Sequence, residues 1–120
     1  MSASCVFCGI IAGAEPATVV RCWDDALAIV PRSPVTAGHI LVIPVQHVED
    51  YTTDPDVTAI VARRAAAVGQ YPSNLITSAG AEATQSVRHL HAHVVPRSEG
   101  DGLPLPWTPQ QTVAQAGGPR

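Results

Sequence analysis

Apolar and polar residues alternate along this chain with two different periods. Cys5 to Ala12 carries a short helical repeat that ends at Gly13, and Ala26 to Val30 is an apolar run of strand length. Ile40-Leu41-Val42-Ile43, nearly all apolar and ended by Pro44, is a second strand, separated from the first by a turn-rich stretch with Pro31, Pro34 and Gly38. Asp54-Pro55-Asp56 is a helix start signal, so one amphipathic helix is predicted from about Val57 to Val68, stopped by Gly69 and Pro72. A strand from Asn74 to Ser78 leads through Gly80 into the run His89-Leu90-His91-Ala92-His93-Val94-Val95-Pro96-Arg97, where the period is two. From Ser98 onward Gly100, Gly102, Pro104, Pro106 and Pro109 make the chain extended, and 108–120 is expected to be an extended or disordered tail. A few strands, one main helix, a short N-terminal helix and no βαβ alternation predict an α+β domain with an antiparallel sheet. No internal repeat interrupts it.

Composition narrows the picture. At 120 residues and 46% hydrophobic content, residues 1–120 are expected to form a single domain with its own core, built mainly from residues 4–107. The formal charge is −3, and the cations are seven scattered arginines with no lysine, so no basic stripe exists for a nucleic-acid backbone and no nucleic-acid partner is expected. No apolar run approaches the roughly 20 residues of a membrane span, and residues 1–20 lack a leader pattern. A soluble, cytoplasmic protein is the expectation. Three cysteines, two at C-x-x-C spacing, suit a reducing compartment with metal or redox use better than a disulfide framework.

Period two in a strand puts His89, His91 and His93 on one face and Leu90, Ala92 and Val94 on the other. At about 3.3 Å per residue, alternate imidazoles stand roughly 6 to 7 Å apart, a spacing that suits one phosphate-sized group or two adjacent sites. Taken alone, alternating histidines are equally a weak metal patch.

Several motifs occur together in one order: Cys5-Val6-Phe7-Cys8, then Gly38-His39-Ile40-Leu41-Val42-Ile43-Pro44 with His47, then Gln85-Ser86-Val87-Arg88 leading into the three histidines. On these residues the chain, over about 4–107, resembles the histidine triad (HIT) superfamily of nucleotidyl hydrolases and transferases, in particular its zinc-containing bacterial type. The resemblance implies a HIT-like fold, a homodimer and a nucleotide-type small-molecule substrate. By motif position His91 matches the nucleophile that attacks an α-phosphate to form a nucleotidyl-histidine, and His93 the residue beside the leaving group. Ser86 and Gln85 match the segment along the phosphate and leaving group, with a polar residue in an ordinary turn as the competing role, more so for Gln85 than for Ser86. His39 matches a histidine that supports the triad's hydrogen bonds, or is a satisfied structural residue. Arg97 reads equally as a solvated strand-end residue.

The resemblance also matches Cys5, Cys8, His47 and His89 to the ligands of a structural zinc, a closed tetrahedral set with no position left for water. A redox C-x-x-C, two unligated thiols, or a lost site in which His89 only hydrogen-bonds compete with that reading. Cys22 lies outside both motifs and is expected to be a small core residue. Phe7, Ile10, Leu27 and Ile43 are the candidate apolar walls of a base pocket, with core packing as the competing role; with 4% aromatic residues the base would rest on aliphatic side chains.

Departures from the family pattern bear on the substrate. Pro31 stands where many members have an Asp that holds the ribose, Ser78-Ala79-Gly80 replaces an Asn before the loop glycine, and Thr84 replaces the Gly before Gln85. Ser78 and Gly80 remain candidate substrate contacts, and Asn74 is read as a strand-start residue. Alternatives to a nucleotidyl hydrolase are a non-catalytic nucleotide- or partner-binding module and a purely structural zinc protein.

Overall fold

A computed structural model of the protein describes residues 5–108. Cys5 opens the first helix, α1 (Val6–Ile11), by accepting the Cys8 N–H on its sulfur. β1 (Val19–Cys22), β2 (Ala26–Ile29) and β3 (Ile40–Pro44) follow, then α2 (Pro55–Val68), β4 (Ser73–Ile76) and β5 (Ala92–Pro96). The strands form one antiparallel sheet in the order β1-β2-β3-β5-β4. This is the expected α+β arrangement.

β2 and β3 are buried at every position, and for that reason they read as unbroken apolar runs rather than as alternating ones. α2 covers one sheet face through Val57, Val61 and Ala65, which pack with Ala28, Val42, Leu90, Ala92 and Val94. Each fully buried valine there contributes about 1.5–3 kcal/mol. α1 lies on the opposite face, where Phe7 packs with Leu27, Ile29, Leu41 and Ile43. α2 begins at Pro55, two residues before the predicted start, because Asp54 accepts the Asp56 N–H at 2.9 Å and Pro55 occupies the first turn, where a missing N–H costs nothing.

Four local expectations differ from the structure. β1 carries no burial period, since all four of its residues are exposed at the sheet edge; Cys22 is therefore an exposed edge residue and not part of the core. β4 ends at Ile76 instead of Ser78, because Thr77 turns its hydroxyl to the His91 carbonyl at 2.7 Å. β5 begins at Ala92, so His89 and His91 precede the paired segment while His93 lies within it. Arg97 is not solvated; its ion pair with Asp101 is four-fifths buried on the arginine side. The expected tail, Thr108 apart, lies outside the described residues. Among those described, no helix is long and apolar enough to cross a membrane.

Candidate functional site

Strand register decides which histidines meet. Leu41 pairs with His93 and Ile40 with Val94, which sets His39 at the head of β3 beside the triad strand. Leu90, Ala92 and Val94 enter the α2-side core, as the alternation predicts. The histidines take the other face: the rings of His91 and His93 are 5.3 Å apart, and Phe7 stands edge-on to His91 at 5.0 Å and to His89 at 5.9 Å.

The hydrogen bonds assign the ring protons of His39, His91 and His93, since a backbone N–H only donates and a carbonyl only accepts. The Val35 N–H donates to His39 Nδ1 at 3.1 Å, so His39 carries its proton on Nε2 and donates it to His93 Nδ1 at 3.0 Å. His93 is thereby left with its own proton on Nε2. His91 Nδ1–H donates to the His89 carbonyl at 2.8 Å, which puts the His91 lone pair on Nε2. One ring is a poised nucleophile and its neighbour a poised donor. His39 thus supports the triad directly, as one of the two roles read from its motif requires.

Burial keeps this array neutral. It lowers the pKa of His91, against the opposing effect of the His89 carbonyl, and lowers that of His39. His93 is pushed down to about 4 by burial first, then by His91 and His39. A histidine whose folded pKa lies below its unfolded value of about 6.5 contributes stability that is present above pH 6.5 and lost as pH falls toward 4, because only the unfolded chain takes up the proton. Denaturant titrations between pH 4 and 7 are expected to show stability falling with acid, with a shallower slope in His93→Asn. Equal slopes for the two proteins would remove His93 as the source.

The loop before the triad is held by Gln85, which is buried. Its Oε1 accepts the Gly80 N–H at 2.8 Å, and its Nε2 donates to the carbonyls of Glu49 and Val87. Gly80 sits at φ +95°, ψ 159°, a region open only to glycine. A single 3-10 turn at Ala81–Ala83 leads to Thr84, the one non-glycine residue with positive φ among those described, at +71°. A β-branched residue there is strained by about 1–3 kcal/mol, while glycine loses about 0.5–1 kcal/mol more chain entropy on folding. Thr84→Gly is expected to raise stability by roughly 1 kcal/mol, measured by the urea midpoint at unchanged slope; a lower midpoint would show that the strain is relieved by other contacts.

The triad lines one cavity, and Phe7, beside His91, lines another. The first, about 450 Å³, is lined by His39, His91 and His93 together with Asn74, Ser78, Thr84 and Gln85, and its far wall is Leu103-Pro104-Leu105. Arg97 holds that wall: its guanidinium donates to both carboxylate oxygens of Asp101, to Asn74 Oδ1 and to the Leu103 carbonyl. Asp101 also accepts the N–H groups of Ser98 and Leu103, and the arginine first, then these amides, hold its carboxyl well below the usual range. Sequence reading left Arg97 and Asn74 without a role; their signal was the i,i+4 spacing of Arg97 and Asp101. The second cavity, about 320 Å³, is lined by Phe7, Ile10, Ile29, Leu41 and Val87, with Ser86 at its edge. Ser86 also lines a third cavity beside Cys5 and His47. Leu27 and Ile43 belong to the packed cluster behind Phe7.

Cys5, Cys8, His47 and His89 converge, their ligand atoms all within 4.8 Å of one another. Cys5 Sγ and Cys8 Sγ lie 3.4 and 3.5 Å from His89 Nδ1, Cys8 Sγ lies 3.3 Å from His47 Nδ1, and the two Nδ1 atoms are 3.0 Å apart. Zinc bonds of about 2.0–2.3 Å give tetrahedral edges of about 3.3–3.8 Å, close to these values. His89, wholly buried, donates Nε2–H to the Pro44 carbonyl at 2.9 Å, so its lone pair is on Nδ1 and faces the sulfurs. Burial, then the neighbouring Cys5, raise the pKa of the Cys8 thiol, and a cation at the centre is what favours a thiolate there. The four residues form a metal site suited to zinc. When bound, zinc here supplies a cross-link and no open coordination position.

Residues 12–100 match the HIT domain family. The chain is 42% identical over 110 residues to an uncharacterized HIT-like protein of Mycobacterium tuberculosis, covering 82% of this chain and 75% of that one. It is 31% identical to an adenosine 5′-monophosphoramidase of Schizosaccharomyces pombe, over 87% of this chain and 83% of the relative. Among solved structures, a Zn-bound histidine triad family protein from Mycobacterium smegmatis superposes with a TM-score of 0.75 at 36% identity, covering 97% of both chains.

Proposed function

Because this chain belongs to the HIT domain family, we propose that it is a nucleotidyl hydrolase or transferase acting on a nucleoside 5′-phosphate derivative, such as a phosphoramidate or a dinucleoside polyphosphate. The observation that carries this reading is the fixed tautomer of His91, with Nδ1–H on a backbone carbonyl and a lone pair on Nε2 beside a cavity. In the first step His91 Nε2 attacks the α-phosphorus and forms a P–N bond as the bond to the leaving group breaks. His93 Nε2–H donates a hydrogen bond to oxygen bearing the developing charge. Ser86, on the wall of the third cavity, donates a hydrogen bond to the leaving group, which takes a proton from solvent as it departs; attack by water in the second step returns one to solvent. Water or another acceptor then attacks the nucleotidyl-histidine, releasing the nucleotide and restoring His91.

Ser78 and Gln85 line the phosphate side of the pocket, and Gly80, outside the lining, fixes Gln85 through its N–H. Phe7 and Ile10 receive the base, backed by Leu27. The protein works as a cytoplasmic homodimer of single-domain protomers, with no nucleic-acid or membrane partner. The relative with adenosine 5′-monophosphoramidase activity supports a nucleotide substrate.

The test is nucleoside monophosphate release from a panel of nucleoside 5′-phosphoramidates and dinucleoside polyphosphates. Release from at least one class is expected. No release from folded, zinc-replete protein would replace this reading with a nucleotide-binding module, and equal melting points with and without nucleotide would count against both.

A further inference from the structure

The histidine cavity and the apolar cavity share two wall residues. Pro31 and Ser33 line both the histidine cavity and the apolar one. A molecule with its phosphate at His91 and a flat apolar end against Phe7 and Ile10 therefore runs its middle across Pro31 and Ser33. On the nucleotidyl-transfer reading above, on which this inference rests, that middle is the sugar.

Little polar chemistry is available at the junction. Pro31 has no side-chain polar atom and no N–H, and Ser33 offers a single hydroxyl. The other polar side chains lining the apolar cavity are Arg32 and Ser86, with no carboxylate or carboxamide. Arg32 is 73% exposed and faces Glu15 at 3.9 Å. The carboxamides lining the histidine cavity are already engaged, Asn74 by Arg97 and Gln85 by Gly80, Glu49 and Val87. Discrimination between a vicinal diol and its deoxy analogue requires an acceptor that takes a hydroxyl proton and is left unpaired when that hydroxyl is missing. A proline ring in van der Waals contact loses almost nothing when one oxygen is removed.

We infer that this protein holds its substrate at the phosphate and at the apolar end and leaves the sugar between them ungripped. Derivatives of 2′-deoxynucleoside 5′-phosphates, and those with acyclic sugars, are accepted alongside ribonucleoside ones. Pro31, where the two cavities meet, is the position that sets this tolerance.

The test uses the full chain loaded with zinc. Binding of adenosine and 2′-deoxyadenosine 5′-monophosphate is measured by calorimetry, and turnover is measured with the two corresponding 5′-phosphoramidates. The expected deoxy-to-ribo ratios of Kd and kcat/KM lie within about fivefold of one. A larger loss for the deoxy compounds, with the ribo compounds handled normally, overturns the inference and leaves nucleotidyl transfer standing. Failure of both sugars to bind and to turn over overturns the nucleotidyl reading, and the inference with it. Pro31→Asp, or Ser33→Asp if the first does not fold, places a carboxylate at the junction. It is expected to create a ribo preference of about tenfold, appearing mainly in KM. An unchanged ratio in a folded variant shows that the sugar does not cross this junction and overturns the assignment.

Discussion

His91→Ala is expected to lower nucleoside monophosphate release by about 10⁴-fold or more while leaving the protein folded and able to bind nucleotide. The size follows from what the ring does on the proposed path. His91 Nε2 forms the bond to phosphorus, and its companions His93 and His39 have tautomers that make them a donor and a donor's support rather than substitute nucleophiles. Removal of the nucleophile therefore leaves binding and hydrogen-bond stabilisation but no covalent route. The fold is expected to survive, since the His91 ring is half-buried at a cavity wall and packs edge-on against Phe7 without being part of either apolar cluster. The measurement is single-turnover release with intact-mass analysis. Wild type mixed with a slowly turned-over substrate is expected to gain the mass of one nucleotidyl group, and the variant is not. Equal release by wild type and variant would end the assignment of His91 and favour a contaminating activity over a triad mechanism.

Stripping zinc is expected to cost about 3–5 kcal/mol of stability, a fall in Tm of roughly 10–20 °C, and to reduce turnover by about 10- to 100-fold. Both losses arise at His89. Its Nδ1 faces the two sulfurs and its Nε2 is tied to the Pro44 carbonyl, so the metal joins α1 to the end of β3 and to the bend before β5. Without the cation a wholly buried imidazole and the adjoining thiols lose the charge partner that their convergence suits. The consequence for catalysis is mechanical: the backbone carbonyl that fixes the His91 tautomer belongs to His89 itself. Calorimetry and turnover before and after chelation, with metal content measured on the same samples, check both effects. Cys8→Ala should reproduce them. An unchanged Tm after verified removal of the metal would make the quartet a hydrogen-bonded cluster instead of a cross-link.

Much of this was legible in the sequence. Period two in residues 89–97 separates Leu90, Ala92 and Val94, which enter the α2-side core, from the histidines on the other face. Asp54-Pro55 marks the start of α2 to within two residues. Cys5, Cys8, His47 and His89 come together as the resemblance to zinc-containing HIT members implies. β1 escaped because an edge strand exposed along its whole length has no burial period to read, and Cys22 was misplaced with it. Arg97 looked solvated because its partners, Asp101, Asn74 and the Leu103 carbonyl, gather around it only after the chain turns back from β5.

The sequence by itself determined the elements other than β1, the side of the sheet on which the histidines lie and the donor types available to a metal, because each of these depends on local period and residue chemistry. Only the tertiary structure decided which ring nitrogen of His39, His89, His91 and His93 carries a proton, that His39 supports His93, and that Pro31 and Ser33 line both cavities. Those features depend on partners far apart in the chain, His39 and His93 being separated by 54 residues. Strand order β3-β5 and the pairing of Leu41 with His93 bring them together, and neither periodicity nor composition encodes that pairing.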